Sequence, residues 1–132
     1  MLILGKDLLE KMLQQIKEEF PNEACGILAG REGRAEKVYA MSNADKSSES
    51  FLMDTKEQLK IAKEIRGLGL EMLAIYHSHV ASLAYPSTRD VELASCPDVS
   101  YAIVSLKDKD NPNIRVFKIN EGVITEEEMK IE

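Results

Sequence analysis

The sequence predicts an α/β fold: a single domain over residues 1–132, with a mixed, largely antiparallel sheet flanked by helices. Three observations predict it. Residues 6–20 repeat Leu8, Leu9, Met12, Leu13, Ile16 and Phe20 at helical spacing, with Lys and Glu between them. Glu71–Tyr76 (EMLAIY) and Tyr101–Leu106 (YAIVSL) are apolar runs of strand length, as expected of strands buried on both faces. Helix-opening signals recur at Thr55 and Ser87, so helices and strands alternate along the chain. A chain of 132 residues suits one compact core.

Each element has a local reason. The first helix, 6–20, is stopped by Pro21 and Asn22. Glu23–Ala29 (EACGILA) reads as a strand closed by Gly30. Arg31–Arg34 turns around Gly33 into a second strand, Lys37–Met41, so the two form a hairpin. Asn43–Ser50 is polar and reads as a loop, followed by the brief apolar stretch Phe51-Leu52-Met53. Thr55 reads as an N-cap with Gln58 completing a capping box, and this helix runs to about Leu68, weakened and stopped by Gly67 and Gly69. The strand 71–76 follows, then a long loop, His77–Pro86. Ser87 opens a helix that ends near Ser95 or Cys96, before Pro97. Tyr101–Leu106 is a strand, Lys107–Asn113 a charged turn, and Ile114–Ile119 an alternating strand. Gly122 turns the chain into Val123–Thr125, and the remainder reads as an acidic tail.

Composition narrows the function classes. The formal net charge is −6 with no Lys/Arg block, which argues against a nucleic-acid footprint. No apolar run approaches the roughly 20 residues of a membrane helix. The first residues, Met1–Asp7, are too quickly charged for a secretory signal, so the expectation is a cytoplasmic protein. The two cysteines, Cys25 and Cys96, lack a C-x-x-C partner and read as small buried thiols rather than a metal site.

The chemistry is concentrated in Tyr76–Asp90, which contains both histidines of the protein. His77 and His79 are spaced i, i+2 at a strand end, which points both imidazoles to one side. Two neutral imidazoles on one side are a natural pair of zinc ligands. Catalytic zinc needs a third protein ligand and an open position, and Asp90, in the first turn of the helix opened by Ser87, is the candidate. Glu23, just after the Pro21-Asn22 break, is the candidate base for the attacking water. Ser87 is the candidate hydrogen-bond donor to an oxyanion. Plainer readings stand beside these. Ser87-Thr88-Arg89-Asp90 is an S-x-x-D capping box in its own right, Glu23 alone suits a solvated charge, and Asp54 and Glu57 suit a cap and a helix-dipole partner. Cys96-Pro97 shares a fragment of the zinc deaminase pattern, without its H-x-E half. A cysteine nucleophile has no evident third group.

Taken jointly, Glu23, His77-Ser78-His79, Ser87 and Asp90 fall in the order and spacing of a known pattern: Glu, a long gap, His-Ser/Thr-His, seven residues, Ser, two residues, Asp. The chain resembles the JAMM/MPN+ metalloproteases, and the resemblance extends from the opening helix through NEACGILAG, FLMD, IYHSH and YPSTRD to YAIVSL. It implies an MPN/JAB fold of the cytidine-deaminase-like kind and one Zn²⁺ per chain on His77, His79 and Asp90. It also implies Glu23 as the water-activating carboxylate and Ser87 as the oxyanion helper. The implied activity is hydrolysis of a peptide or isopeptide bond next to the C-terminal Gly-Gly of a ubiquitin-like or sulfur-carrier protein, free or in conjugates. Small stand-alone prokaryotic members match the length and the E-A-C-G-I-L strand. One departure is Val80, where many members have Pro after the second His; it leaves the ligands intact and the Val80–Tyr85 loop less constrained. Two other functions remain compatible with these residues: a non-catalytic scaffold of the same fold, and a small-molecule zinc amidohydrolase.

Overall fold

A computed structural model describes all residues, 1–132. Eight strands and three helices follow in the order β1 (Leu2–Leu4), α1 (Lys6–Glu19), β2 (Cys25–Arg31), β3 (Arg34–Met41), α2 (Thr55–Gly67), β4 (Glu71–His79), α3 (Thr88–Leu93), β5 (Ser100–Ser105), β6 (Asn113–Asn120), β7 (Val123–Glu127) and β8 (Met129–Ile131). The strands form one sheet in the order β7-β6-β5-β4-β2-β3-β1-β8. β4 pairs antiparallel with β2 and parallel with β5, so the strand that ends in the histidines lies inside the sheet. The α/β class and the mixed, largely antiparallel sheet flanked by helices are as the sequence predicts.

The pleat sorts the side chains onto two faces. Leu28, Ala74, Tyr76, Ala102 and Val104 share one core with Met12 and Ile16 of α1. Ile27, Ala29, Ile75 and Tyr101 share the other with Ile65 of α2, and Val91 of α3 packs against it. β4 carries one extra residue where the register shifts: Leu28 faces Ala74, but Ala29 faces Met72, which leaves Leu73 as a bulge. Beyond that bulge the alternation runs unbroken to His79.

Four local readings differ from the structure. Asp54, not Thr55, caps α2, its carboxylate accepting from the amides of Lys56 and Glu57 at 2.9 and 3.0 Å. An ionised acceptor at the positive end of a helix outcompetes a hydroxyl one residue later. His77–His79 continue β4 instead of opening the loop, because β5 supplies a parallel partner as far as Ser105. The third helix ends at Leu93. The tail is not loose: β7 pairs with β6, and Met129–Ile131 pair in parallel with Leu2–Leu4. β1, too short to read from sequence, exists through that pairing, which also joins strands from the two ends of the chain. No helix is long and apolar enough to cross a membrane.

Gly26 marks the tightest packing beside β4. A Cβ there would lie 2.2 Å from the Tyr76 ring. Tyr76 cannot swing aside freely, because it is fully buried and its hydroxyl bonds to Gln15 on α1. Gly26→Ala is therefore expected to destabilise the protein by at least the roughly 1–3 kcal/mol typical of overpacking, measured by urea denaturation; an unchanged midpoint would show that Tyr76 yields.

Candidate metal and catalytic site

β4 brings its last odd-numbered side chains to one place. His77 and His79 lie on the same face, their Nε2 atoms 3.1 Å apart. The capping box of α3 brings Asp90 to meet them. Ser87 Oγ accepts from the Asp90 amide at 3.1 Å, and the Ser87 amide donates to Asp90 Oδ2 at 2.9 Å. That same Oδ2 lies 3.2 Å from His77 Nε2 and 2.9 Å from His79 Nε2. One candidate ligand atom from each of His77, His79 and Asp90 falls within 4.8 Å of the others. The cap and the three-atom cluster are thus one construction: the box that starts α3 fixes the rotamer that aims Asp90.

The surroundings set orientation and charge. His79 Nδ1 lies 2.8 Å from the Leu83 carbonyl and donates to it, which leaves Nε2 to face the cluster. The Phe51 ring stacks on His77 at 4.4 Å with an interplanar angle of 24°. A cavity of about 30 Å³ lined by Phe51, Leu93, Tyr101, Ile103 and Ile119 keeps the far side of His77 and Asp90 apolar. The largest surface groove, about 520 Å³, lies between Ile114–Val116 and Glu126–Met129 and contains none of these residues.

Burial pulls the His77 pKa down, against the hydrogen bond that His77 makes to the Asp90 carboxylate. Burial also pulls His79 down, but its bonds to Asp90 and Leu83 and the charges of Asp90 and Glu23 outweigh it and hold it above its ordinary value. Burial of Asp90 is overcome by its bonds to both imidazoles, which keep the carboxyl well below the usual range. A neutral imidazole and an ionised carboxylate are the ligand forms a divalent cation requires. The donor set, nitrogen–nitrogen–oxygen with three protein atoms converging, fits an ion of the zinc type with a position left open.

Glu23 sits just before β2, 4% exposed, with Oε1 lacking any hydrogen-bond partner. Burial pushes its carboxyl up to about 7, while the charge of His79 lowers it and that of Asp90 raises it. Its backbone is held on both sides. The Ala24 amide donates to Ser78 Oγ at 2.8 Å, and the Ser78 amide donates to the Ala24 carbonyl at 3.0 Å. Ser78 therefore ties the Glu23 segment to the strand between the two histidines. The cysteines take no part. Both are free; Cys25 is buried and burial pushes its thiol up to about 12, the opposite of an activated nucleophile, while Cys96 is half-buried.

Sequence reasoning missed Phe51 and Asn43. The sequence marks Phe51 only as the start of the brief apolar stretch Phe51-Leu52-Met53, and Asn43 only as the start of a polar loop. Asn43 is buried, and its Nδ2 donates to the Glu23 carbonyl at 3.0 Å.

Residues 5–120 match the family model described as prokaryotic homologs of the JAB domain. The chain belongs to the JAB, or JAMM/MPN+, family. Family relatives span nearly the whole chain. The CysO-cysteine peptidase of Mycobacterium tuberculosis is 39% identical over 132 residues, covering 98% of this chain and 90% of the relative. A protein from Thermus thermophilus named as a probable TtuB-protein conjugate cleaving protease is 34% identical, covering 92% and 78%. Among solved structures, a protein from Desulfitobacterium hafniense superposes with a TM-score of 0.91 at 40% identity, over 100% of this chain and 93% of that one. A JAB1/MPN domain protein from Archaeoglobus fulgidus shares the JAB fold with a TM-score of 0.65 at 19% identity, over 99% and 98%.

The geometry of this JAB-family site generates a binding expectation. Zinc added to about 100 times its dissociation constant should stabilise the chelator-treated protein by about 2.7 kcal/mol, read as a shift of the thermal transition. His77→Ala should show no such shift. An equal shift in both proteins would place the metal elsewhere.

Proposed function

We propose that this chain is a zinc-dependent peptidase and isopeptidase. It hydrolyses the bond next to the C-terminal Gly-Gly of a ubiquitin-like or sulfur-carrier protein, free or conjugated, and acts in the cytoplasm as a single-domain enzyme. The observation that carries this reading is the convergence of His77, His79 and Asp90 beside the buried Glu23 carboxylate. The relatives support the substrate class: their names pair a peptidase with CysO-cysteine and a protease with TtuB-protein conjugates.

In this reading His77, His79 and Asp90 hold one zinc per chain. The ion supplies Lewis acidity, which lowers the pKa of water to about 7 and polarises a carbonyl oxygen. Glu23 does the proton work. A carboxyl poised near 7 takes a proton from the attacking water and returns it to the leaving amine. A carboxyl at its ordinary value would be a poorer acid in the second step. Ser87 Oγ spends a lone pair on the Asp90 amide, which leaves its O–H free to donate to the oxyanion of the tetrahedral intermediate. Phe51 and the small apolar cavity exclude water from the His77 side, so the charges around Glu23 and Asp90 act through a low dielectric.

Glu23→Gln tests the assignment. The amide keeps shape and loses basicity, so turnover on a carrier extended beyond Gly-Gly should fall by about 10²–10⁴. Zinc content and circular dichroism should match the parent protein. Cleavage at the parent rate would remove Glu23 from its role.

A further inference from the structure

Asn43 touches neither the ligand cluster nor the proposed reacting atoms, yet every polar position of its side chain is bonded. Nδ2 donates to the carbonyls of Glu23 and Ser50, both at 3.0 Å. Oδ1 accepts from the amides of Asp45 and Leu52 at 3.0 and 3.1 Å. The residue is buried, so these bonds are shielded from competing water. The two halves of the amide do different things. The oxygen, together with the Ser50 bond, closes the 43–53 loop on itself, and the Asn43–Met53 bridge seals its ends. The bond to Glu23 leaves the loop and grips the residue read above as the base.

We propose that Asn43 is a positioning residue for catalysis: it fixes the peptide group that follows Glu23 and thereby aims the Glu23 carboxylate. This rests on the reading of Glu23 as the base. That peptide is held at both ends, its carbonyl by Asn43 Nδ2 and its amide, from Ala24, by Ser78 Oγ at 2.8 Å. The Glu23 amide donates to Ser47 of the same loop at 2.8 Å. Oε1 of the carboxylate has no partner of its own. A side chain with so little to hold its tip takes its direction from its backbone. Glu23 also lies outside the ladder of β2, so no strand pairing supplies that direction. Asn43 does so, and the same loop carries Phe51 onto His77.

Asn43→Asp separates the two halves of the amide. It keeps the acceptor for Asp45 and Leu52 and removes the donor to Glu23, together with the donor to Ser50 within the loop. The expected result is a kcat lowered by about 10- to 100-fold, the cost of a reacting group misplaced by about 1 Å, with KM and zinc content unchanged. In a Glu23→Gln background the same change should cause no further loss, because both substitutions remove one function. A crystal structure of the variant should show the Glu23 carboxylate displaced. An unchanged kcat, or a loss that multiplies with that of Glu23→Gln, would overturn the proposal. If the parent protein cleaves no Gly-Gly-tailed carrier, the activity reading fails, and the crystal structure alone decides the positioning: a displaced carboxylate upholds it and an undisturbed one overturns it. Should Asn43→Asp fail to fold, Ser78→Ala releases the other end of the same peptide and is judged by the same readouts.

Discussion

The pleat of β4 is the constraint on which the molecule depends. Along Ala74–His79 each successive side chain crosses the sheet. Ala74 and Tyr76 build the core under α1, Ser78 grips the Glu23 segment, and Ile75 packs toward α2. The odd positions that follow Ile75 are His77 and His79, and both carry a nitrogen to one point. A slip of one residue would exchange the two sets. It would bury the imidazoles under α1 and expose Tyr76 where the ligand cluster now stands. The fixed contact of Gly26 with the Tyr76 ring guards against that slip, so packing on one face secures the chemistry on the other.

The second constraint is economy at the start of α3. Ser87 and Asp90 form an ordinary reciprocal cap, and the carboxylate oxygen that accepts the Ser87 amide also faces both histidines. The sequence reading allowed a cap and a functional role to coexist here, and one carboxylate oxygen serves the cap while facing both imidazoles. Glu23 completes the arrangement from a third direction. Its raised pKa follows from burial first, and the loop 43–53 holds its backbone through Asn43.

What could be read in advance was whatever short-range chemistry dictates. The period of α1, the runs EMLAIY and YAIVSL, and the His-Ser-His spacing are local patterns, and each has its counterpart in the structure. Five residues were singled out for the site. His77, His79 and Asp90 meet within 4.8 Å, Ser87 is bonded to Asp90, and Glu23 is buried just before β2. The features that escaped are those made by distant partners. β1 and β8 are short segments that become strands only through distant partners: β1 lies between β3 and β8, and β8 pairs with β1. The histidines belong to β4 because β5 extends alongside them. Asn43 lies far from Glu23 in the chain, and nothing in its neighbourhood announces where its amide will reach. The cap of α2 was misplaced by one residue because Asp54 and Thr55 are both good caps, and it is the Asp54 carboxylate that takes the amides of Lys56 and Glu57.

The central claim is that this site cleaves beside a carrier's Gly-Gly tail by means of a bound metal. Intact-mass spectrometry tests it most directly, on a ubiquitin-like sulfur-carrier protein extended by one residue beyond Gly-Gly. The expected product ends at Gly-Gly, its formation stops when a chelator strips the enzyme, and added zinc restores it. No cleavage by zinc-loaded enzyme, cleavage at another bond, or cleavage indifferent to the chelator would contradict the account.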